Sequence, residues 1–289
     1  MGSIAVVIPC FNDGEMVESA VASAETQEVA AEIVVVDDGS TDPATLALLR
    51  RLERRGIQVI QQANQGPAPA RMAGVRATAA DYVFALDADD MLAPGGLKRL
   101  GEVLDGHPEA AAAWGAVQAF GEVEYVGDRS PPSLDPWEIT FQNHLPIGSL
   151  YRRSALLDVG GWNFPGGYED WDLWMSLAER GWKGVGIPDV VACYRVQRGR
   201  RLSRSSRRHT ERYVKLQARH PLLFAERRRN WRSSRAPIAL KVALPAIDVL
   251  PVSSSRKRLM GSAVAHLAYG NGWRVLVSRY RAHRVLRAA

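Results

Sequence analysis

Long apolar runs are missing from this chain of 289 residues. A helix that crosses a bilayer needs about 20 consecutive, predominantly apolar residues, and no segment of the sequence approaches that length. The apolar stretch 4–8 is short and has no basic leader, so it does not match a secretory signal. We therefore expect a cytoplasmic protein, with a peripheral position at the inner face of the cell membrane as the alternative.

Cysteine is also scarce, with only Cys10 and Cys193 present. These two residues lie far apart in the sequence, and their spacing is not that of a metal-binding motif. Nothing in the sequence indicates an oxidising compartment. Cys10 ends a predicted central strand, where a small buried apolar side chain is its expected role.

A glycine-rich phosphate loop is the third absence. The first predicted strand ends in Pro9-Cys10-Phe11-Asn12, and no Gly-x-Gly-x-x-Gly follows it. This argues against an NAD-type dinucleotide fold. It also argues against one enzyme class that a metal-bound nucleotide would suit, the nucleotidyltransferases, because such an enzyme would need a glycine-rich loop after the first strand.

Acidic residues are rare in the last third of the chain. The formal net charge is +6, but residues 1–194 hold 13 Lys/Arg and 28 Asp/Glu, whereas residues 195–289 hold 24 and 3. An acidic body with a basic extension indicates that the two parts have different functions, or that the protein performs one function at an anionic surface. The alternatives are contact with anionic lipids and pairing with the acidic body or a second subunit. Nucleic-acid binding is disfavoured, because the extension has no recognised RNA- or DNA-binding motif.

Strands and helices alternate through the first ninety residues. Strands are predicted at 4–8, 32–36, 57–61 and 82–86, and helices at 16–24, 43–55 and 69–78. Strands separated by helical stretches of about 10–15 residues indicate βαβ units. We therefore predict an α/β fold with a mainly parallel central sheet flanked by helices.

The pattern is less regular beyond residue 92. Helices are predicted at 96–104 and 169–180, and strands at 111–120, 123–126, 147–151 and 190–196, with a Pro-rich loop at 130–136 that could be mobile. Prolines at 221, 237, 245 and 251 predict that the extension consists of short helices. The predicted domains are 1–203, with halves 1–92 and 93–203, and the extension 204–289.

Three carboxylates end the fourth strand: Asp87, Asp89 and Asp90. Ligands of open α/β sheets bind beyond the carboxyl ends of the strands. Mg²⁺ and Mn²⁺ take oxygen ligands, often one or two carboxylates together with substrate phosphates. The cluster therefore predicts a divalent metal site. The alternative is a polar loop in which Asp89 or Asp90 caps the next helix.

Two further loops carry candidate ligand-binding residues. Asp38 follows the second strand and could accept a hydrogen bond from a nucleobase on which Phe11 stacks, although Asp is also common in turns. Gly66 permits close backbone approach, and Arg71 follows in the first turn of a predicted helix. Arginine suits phosphate because its donors form a fork. A surface salt bridge is the alternative for Arg71.

Four segments together resemble the nucleotide-sugar half of family 2 glycosyltransferases with the GT-A fold. They are Val7–Asn12, Val35–Asp42, Asn64–Arg71 and Leu86–Asp90. The resemblance continues through 147–153, 159–162 and 168–174 to about residue 203. The presence of all four motifs in the same order and at the same spacing is specific evidence for this resemblance, whereas any one motif alone would be weak evidence.

The resemblance implies a GT-A Rossmann-like fold and an inverting transfer of sugar from a nucleotide-diphospho-sugar donor to an acceptor hydroxyl. The residues implied to bind the donor are Pro9, Phe11, Asn12, Asp38, Gly66, Arg71, Asp87 and Ala88. Within this set, Pro9, Phe11 and Asp38 would surround the base, and Asp87 would contact the ribose. Asp89 would ligate Mn²⁺ or Mg²⁺. The acceptor would be a sugar, a glycolipid or a small molecule.

Asp170 matches the position of the family's general base. Burial would raise the pKa of this carboxyl group, whereas the start of a helix would lower it. Alternatively, Glu169, Asp170 and Asp172 only stabilise the helix N-terminus. We prefer that role for Asp172 and catalysis for Asp170.

One segment departs from the family pattern. Many relatives carry a histidine two residues after an arginine, where it helps to bind the metal, but this chain has Arg195-Val196-Gln197. Gln197 or His209 could complete the metal site, or Asp89 and the phosphates could suffice. A sugar-nucleotide-binding module without activity is the non-enzyme alternative.

Overall fold

Nine strands form a single sheet in the computed structural model, which describes residues 1–122, 125–128, 130–197, 209–270 and residue 277. The strands are β1 (Ile4–Cys10), β2 (Ala31–Asp37), β3 (Gln58–Gln61), β4 (Tyr82–Ala85), β5 (Met91–Leu92), β6 (Ala110–Gly121), β7 (Tyr125–Asp128), β8 (Leu150–Arg152) and β9 (Lys183–Val196). Their order is β3-β2-β1-β4-β8-β6-β9-β5, and β7 pairs with β6.

The helices follow the strands as the sequence pattern predicts. In the described residues they are α1 (Glu15–Glu25), α2 (Pro43–Arg54), α3 (Pro67–Ala77), α4 (Gly96–Gly106), α5 (Arg153–Asp158), α6 (Glu169–Glu179), α7 (His209–Arg219), α8 (Pro221–Ala225), α9 (Arg227–Ser233), α10 (Ile238–Asp248) and α11 (Ser254–Ala268). Asp42 caps α2, because its carboxylate accepts a hydrogen bond from the Thr45 backbone N–H at 2.8 Å. Pro43 lies in the first turn of the same helix, a position that suits proline because no intrahelical N–H donor is needed there.

The first four strands are parallel where they pair with one another. β1 pairs with β2 and with β4, and β2 pairs with β3, so that Cys10 lies opposite Asp37 and Val7 lies opposite both Val34 and Ala85. Every residue of β1 is buried, which agrees with a central parallel strand covered on both faces. The carboxyl ends of β1, β2 and β4 therefore meet at one edge.

Alternate side chains of these strands enter two different cores. Val6 and Ile8 pack with α1, α2 and α4, whereas Val7 packs with α3 and α6. Successive side chains of a strand point to opposite faces, so a continuous apolar run such as β1 can fill both layers. The result is a sheet covered by helices on each side.

The second half of the sheet contains antiparallel pairs that the sequence pattern did not indicate. β8 lies between β4 and β6 and is antiparallel to both. The short elements β5 and α5 were also missed. The strand predicted at 147–151 is Leu150–Arg152, and the one predicted at 123–126 is Tyr125–Asp128, with residues 123 and 124 outside the described part.

The Pro-rich loop is packed against the body. Trp114 Nε1 donates a hydrogen bond to the Pro131 carbonyl at 2.8 Å, and Leu134 is buried in the core. Ser133 forms an isolated bridge with Val185. These contacts attach the loop to β6 and β9.

The basic extension is helical where it is described, and it is integrated into the body. Leu216 and Leu223 are buried in the same core as α6. Prolines separate most of its helices, but Pro245 lies inside α10, so our expectation that it would break the chain there was wrong. The arginine-rich segment 198–208, which contains the predicted domain boundary, lies outside the described residues.

Among the helices of the described ranges, none has both the length and the apolar character that crossing a bilayer requires.

Candidate active site

The acidic cluster lies at the carboxyl end of β4. The Leu86 backbone N–H donates to the Val7 carbonyl at 3.0 Å. This bond extends the hydrogen bonding between β1 and β4 to the residue that precedes Asp87. Asp87, Asp89 and Asp90 each offer a carboxylate oxygen, and these oxygens lie within 4.8 Å of one another. Three half-buried carboxylates at this spacing fit a hard divalent cation, which prefers oxygen ligands.

Arg195 holds the loop that carries the cluster. Its backbone N–H donates to Asp90 Oδ1 at 2.9 Å, and its Nε donates to the Asp89 carbonyl at 2.9 Å. Burial, followed by the negative charges of Asp89 and Asp87, raises the pKa of Asp90 well above its ordinary value. A bound cation would relieve this repulsion.

The acidic cluster of Asp87, Asp89 and Asp90 does not include His209, one of the two candidates for the missing histidine ligand. Gln197 is exposed at the end of β9. His209 is buried, and its Nδ1 lies 2.9 Å from the Tyr168 hydroxyl. Participation of either residue in metal binding stays a prediction.

The loop after β1 is fixed by Asn12. Its Oδ1 accepts hydrogen bonds from the backbone N–H groups of Thr41 and Asp42 at 2.8 and 2.9 Å. The φ angle of Asn12 is 56°, a left-handed conformation that asparagine tolerates better than most residues. Next to it, Pro9 is buried and Phe11 is exposed. Phe11 thus presents an aromatic surface at the predicted base site.

Asp38 fixes a second loop at the same edge. Its carboxylate is buried and accepts from Gln62 Nε2, the Gln65 N–H and the Gly66 N–H at 2.7 to 2.8 Å. Gly66 has a φ angle of 95°, which strongly favours glycine. Asp38 thus has a structural role, but it holds the loop 62–66 and not its own turn. Contact of Asp38 with a nucleobase stays a prediction.

Arg71 is buried in an ion-pair network. Only 4% of its side chain is exposed, so the alternative of a surface salt bridge was wrong. Its Nη2 donates to Asp87 Oδ1 at 2.5 Å, and its Nη1 donates to Glu169 Oε1 at 3.3 Å. Burial alone would lower the pKa of Arg71, but the two carboxylates raise it above the ordinary value. The guanidinium is therefore permanently charged.

Asp170 lies beside Glu169 in the first turn of α6. Asn143 Nδ2 donates to Asp170 Oδ2 at 2.9 Å. Burial, followed by the charge of Glu169, raises the pKa of Asp170 to about 6. A carboxylate with a pKa near the working pH is suited to general base catalysis. The burial effect that we considered therefore outweighs the effect of the helix N-terminus.

Asp172 has a role that we did not predict. It is fully buried, and its Oδ1 lies 2.8 Å from Arg219 Nε and 3.0 Å from His220 Nε2. Our interpretation of Asp172 as a group that only stabilises the helix end was incomplete. It also anchors the extension to the body.

The fold brings most of the predicted site residues to one edge of the sheet. Pro9 lies near the carboxyl end of β1, and Phe11, Asn12, Asp38 and Gly66 lie on loops after the parallel strands. Arg71 links Asp87, which precedes Ala88 and Asp89, with Glu169, the neighbour of Asp170. Asn143 and Arg195 were missed as site residues. Nothing in the sequence indicates the partner of Asn143, whereas Arg195 belongs to the segment Arg195-Val196-Gln197, which departs from the family pattern.

Comparisons with known proteins agree with this geometry. Residues 5–159, more than half of the chain, match the model of Glycosyl transferase family 2. An uncharacterized glycosyltransferase of Mycobacterium tuberculosis is 30% identical over 198 residues, covering 63% of this chain and 82% of that protein.

Two solved structures show a similar fold. S. aureus TarS 1–349 in complex with UDP-GlcNAc aligns with a TM-score of 0.61 and 16% identity, covering 97% of this chain and 79% of that one. The mannosyltransferase PcManGT from Pyrobaculum calidifontis, in complex with GDP-Man and Mn²⁺, aligns with a TM-score of 0.58 and 20% identity, covering 98% and 86%. These similarities confirm the predicted GT-A fold.

The match to the family model and the curated relative lead to the same conclusion as the site residues. The chain belongs to glycosyl transferase family 2 and is a glycosyltransferase.

Proposed function

We propose that this glycosyltransferase moves a sugar from a nucleotide-diphospho-sugar donor to an acceptor hydroxyl by a metal-assisted, inverting single displacement. One observation carries the proposal: buried Arg71 contacts Asp87 of the acidic cluster and Glu169, the neighbour of Asp170. The candidate donor site and the candidate base are thereby held in one network. The family assignment favours this reaction over nucleotidyl transfer.

The donor would lie along the carboxyl edge of the parallel strands. Phe11 offers an exposed ring for the base, and Asp38 and Gly66 hold the adjacent loop rigid. Asp89, with Asp87 and Asp90, would hold Mn²⁺ or Mg²⁺. The cation would offset the charge that develops on the leaving nucleoside diphosphate. The presence of UDP-GlcNAc and of GDP-Man with Mn²⁺ in the two similar structures supports this arrangement.

Asp170 would remove the proton of the acceptor hydroxyl as that oxygen attacks the anomeric carbon. Asn143 donates to one oxygen of this carboxylate and so orients it. A positioned base contributes a factor of about 10²–10⁴ to the rate. Inversion follows when the oxygen attacks from the face opposite the leaving group.

The biological setting that we propose is glycosylation of a cell-surface polysaccharide, a glycolipid or a natural product, at the cytoplasmic side of the membrane. The basic extension supports contact with anionic lipid, at about 1 kcal/mol per basic residue near the surface. Flotation with anionic and with neutral liposomes tests this contact, because equal flotation would contradict an electrostatic attraction.

Thermal unfolding with UDP-, GDP- and dTDP-sugars, each with and without Mn²⁺, tests the donor assignment. We expect one nucleotide class to stabilise the protein, and Mn²⁺ to increase the effect. Asp89→Asn should abolish the increase due to Mn²⁺, whereas Asp189→Asn, an exposed control, should not. The proposal fails if no nucleotide sugar stabilises the wild-type protein.

A further inference from the structure

A cavity of about 110 Å³ lies between the body and the C-terminal helices. Gln142 lines it from the body, His209 and Tyr213 line it from α7, and Asp248, Lys257 and Arg258 line it from the end of α10 and the start of α11. Its volume corresponds to several water molecules, which is enough for a small polar group. None of the roles described above uses this cavity.

The cavity carries a positive charge. Lys257 and Arg258 lie in the first turns of α11, where the helix dipole is also positive. Within the described residues neither cation pairs with a carboxylate: Lys257 Nζ donates to the Asp248 backbone carbonyl, and Arg258 lies near the Tyr168 hydroxyl. Asp248 also borders the cavity, but its carboxylate pairs with Arg227 at 3.4 Å. Burial, followed by the charge of Arg258, lowers the pKa of His209 to about 4, so His209 is neutral at pH 7.

Gln142 gives an independent indication of a ligand. Its side chain is buried, with the whole residue 4% exposed, and neither Nε2 nor Oε1 has a hydrogen-bond partner within the described residues. Native proteins rarely leave both ends of a buried amide unpaired, because each unpaired group is destabilising. The amide also borders a space of about 10 Å³ beside Glu138, which holds one water molecule at most. A polar ligand in the larger cavity would satisfy the amide.

The cavity is next to the candidate base. Gln142 precedes Asn143, which donates to Asp170. On the other side, His209 contacts Tyr168, which lies two residues before Asp170. A group held in the cavity would therefore belong to the molecule whose hydroxyl meets Asp170, and not to the leaving nucleotide at the acidic cluster.

We propose that this cavity binds a phosphate group of the acceptor, so that the enzyme glycosylates a phosphate ester. Lys257 and Arg258 supply charge-assisted donors, and the Gln142 amide supplies one more. This inference rests on the proposed function, because it treats Asp170 as the base that faces the acceptor.

Calorimetric titration with glycerol 1-phosphate, with glycerol as the uncharged match, tests the proposal at constant ionic strength. A nucleoside diphosphate and Mn²⁺ are added first to fill the donor site. We expect glycerol 1-phosphate to bind and glycerol not to bind. Arg258→Gln and Lys257→Gln should each weaken binding about tenfold. Arg256→Gln, an exposed change on the same helix, should leave binding unchanged.

A second arm identifies the source of the phosphate. Phosphatidylcholine vesicles containing phosphatidylglycerol, a lipid phosphate ester that keeps free hydroxyl groups, replace the soluble ester, and sedimentation measures binding. Dependence on Arg258 with either probe supports the proposal, and the probe that binds more tightly identifies a lipid-linked or a soluble acceptor. Equal binding by wild type, Arg258→Gln and Arg256→Gln, or no binding of either probe, overturns it.

The test of nucleotide-sugar binding and the test of phosphate binding in the cavity can fail independently. Stabilisation by a nucleotide sugar should be the same in Arg258→Gln as in wild type, which also shows that the variant folds. If phosphate binding is absent while a nucleotide sugar still stabilises the protein, only the cavity proposal fails. If no nucleotide sugar stabilises it, the proposed function fails.

Discussion

Arg71 lies 3.3 Å from Glu169, and this contact joins the helix after β3 to the helix that carries Asp170. The same guanidinium reaches Asp87 at 2.5 Å. Because Arg71 is almost fully buried, the orientation of its five N–H donors is set by neighbouring protein groups and not by solvent. One buried side chain therefore ties the strand edge to the start of α6.

Replacement of Arg71 by Met should destabilise the fold. The change leaves Asp87 and Glu169 without their shared cation, and loss of one partner from a buried ion pair costs about 3–5 kcal/mol. Urea unfolding measures the loss as a lower midpoint with an unchanged slope. Arg76→Met, an exposed change on the same helix, should have little effect. Equal midpoints for the two variants would contradict the network.

Replacement of Asp170 by Asn should lower turnover by about 10²–10⁴. The amide keeps the size of the side chain but cannot take the acceptor proton. Stabilisation by the donor sugar nucleotide should remain as in wild type, which separates a base from a residue that only binds. Asp189→Asn serves as the control on the body surface. Full turnover in Asp170→Asn would remove Asp170 from the mechanism.

The activity of the wild-type enzyme should rise with pH through a midpoint near 6. The pKa of Asp170 is raised to about 6, and only the ionised carboxylate accepts a proton. In Glu169→Gln the neighbouring negative charge is gone, so the pKa of Asp170 should fall and the midpoint should move to lower pH. A pH–rate profile of kcat shows the shift. Glu109→Gln, an exposed control, should not move it.

His220 should stabilise the docked extension in a pH-dependent way. Burial would lower the pKa of His220, but its hydrogen bonds to Asp172 and Glu179 raise it above the ordinary value of 6.5. Because the folded state favours the protonated ring, this stabilisation is fully present below pH 6.5. It is lost as the pH rises through the raised pKa.

Replacement of His220 by Gln measures this contribution. We expect a loss of about 3 kcal/mol at pH 6, because the buried Asp172 loses a charged partner. The difference from wild type should shrink between pH 6 and pH 9 in urea unfolding. His107→Gln, an exposed histidine, provides the control. A difference that is constant across this range would show that His220 acts through packing alone.

The sequence predicted the first half of the fold well, because the signals there are local. β1 is a continuous apolar run, Asp42 and Pro43 mark the start of α2, and helices of regular length separate the strands. Asp38 and the acidic cluster follow from the same pattern, since each lies where a parallel strand ends, whereas Asp170 lies in α6 and was assigned by the family resemblance. Asp89 and Asp38 could therefore be named before their neighbours were known.

The remaining features depend on contacts between distant segments. The insertion of β8 beside β4 joins residues far apart in sequence, and no local pattern encodes that pairing. The burial of Arg71 depends on Glu169 and Trp162, which lie about a hundred residues away. Pro245 enters a helix because α10 packs on α11 and on Trp137, where tertiary contacts outweigh local preference.

The position of β8 also affects how the chain is made. β4 is complete at Ala85, but the strand that covers its second side begins only at Leu150, about 65 residues later. At roughly 5–20 residues per second, a ribosome needs about 3–13 s to produce that partner. An uncovered strand edge is a template for pairing with other chains. Newly synthesised molecules therefore pass through an aggregation-prone interval before the sheet can close.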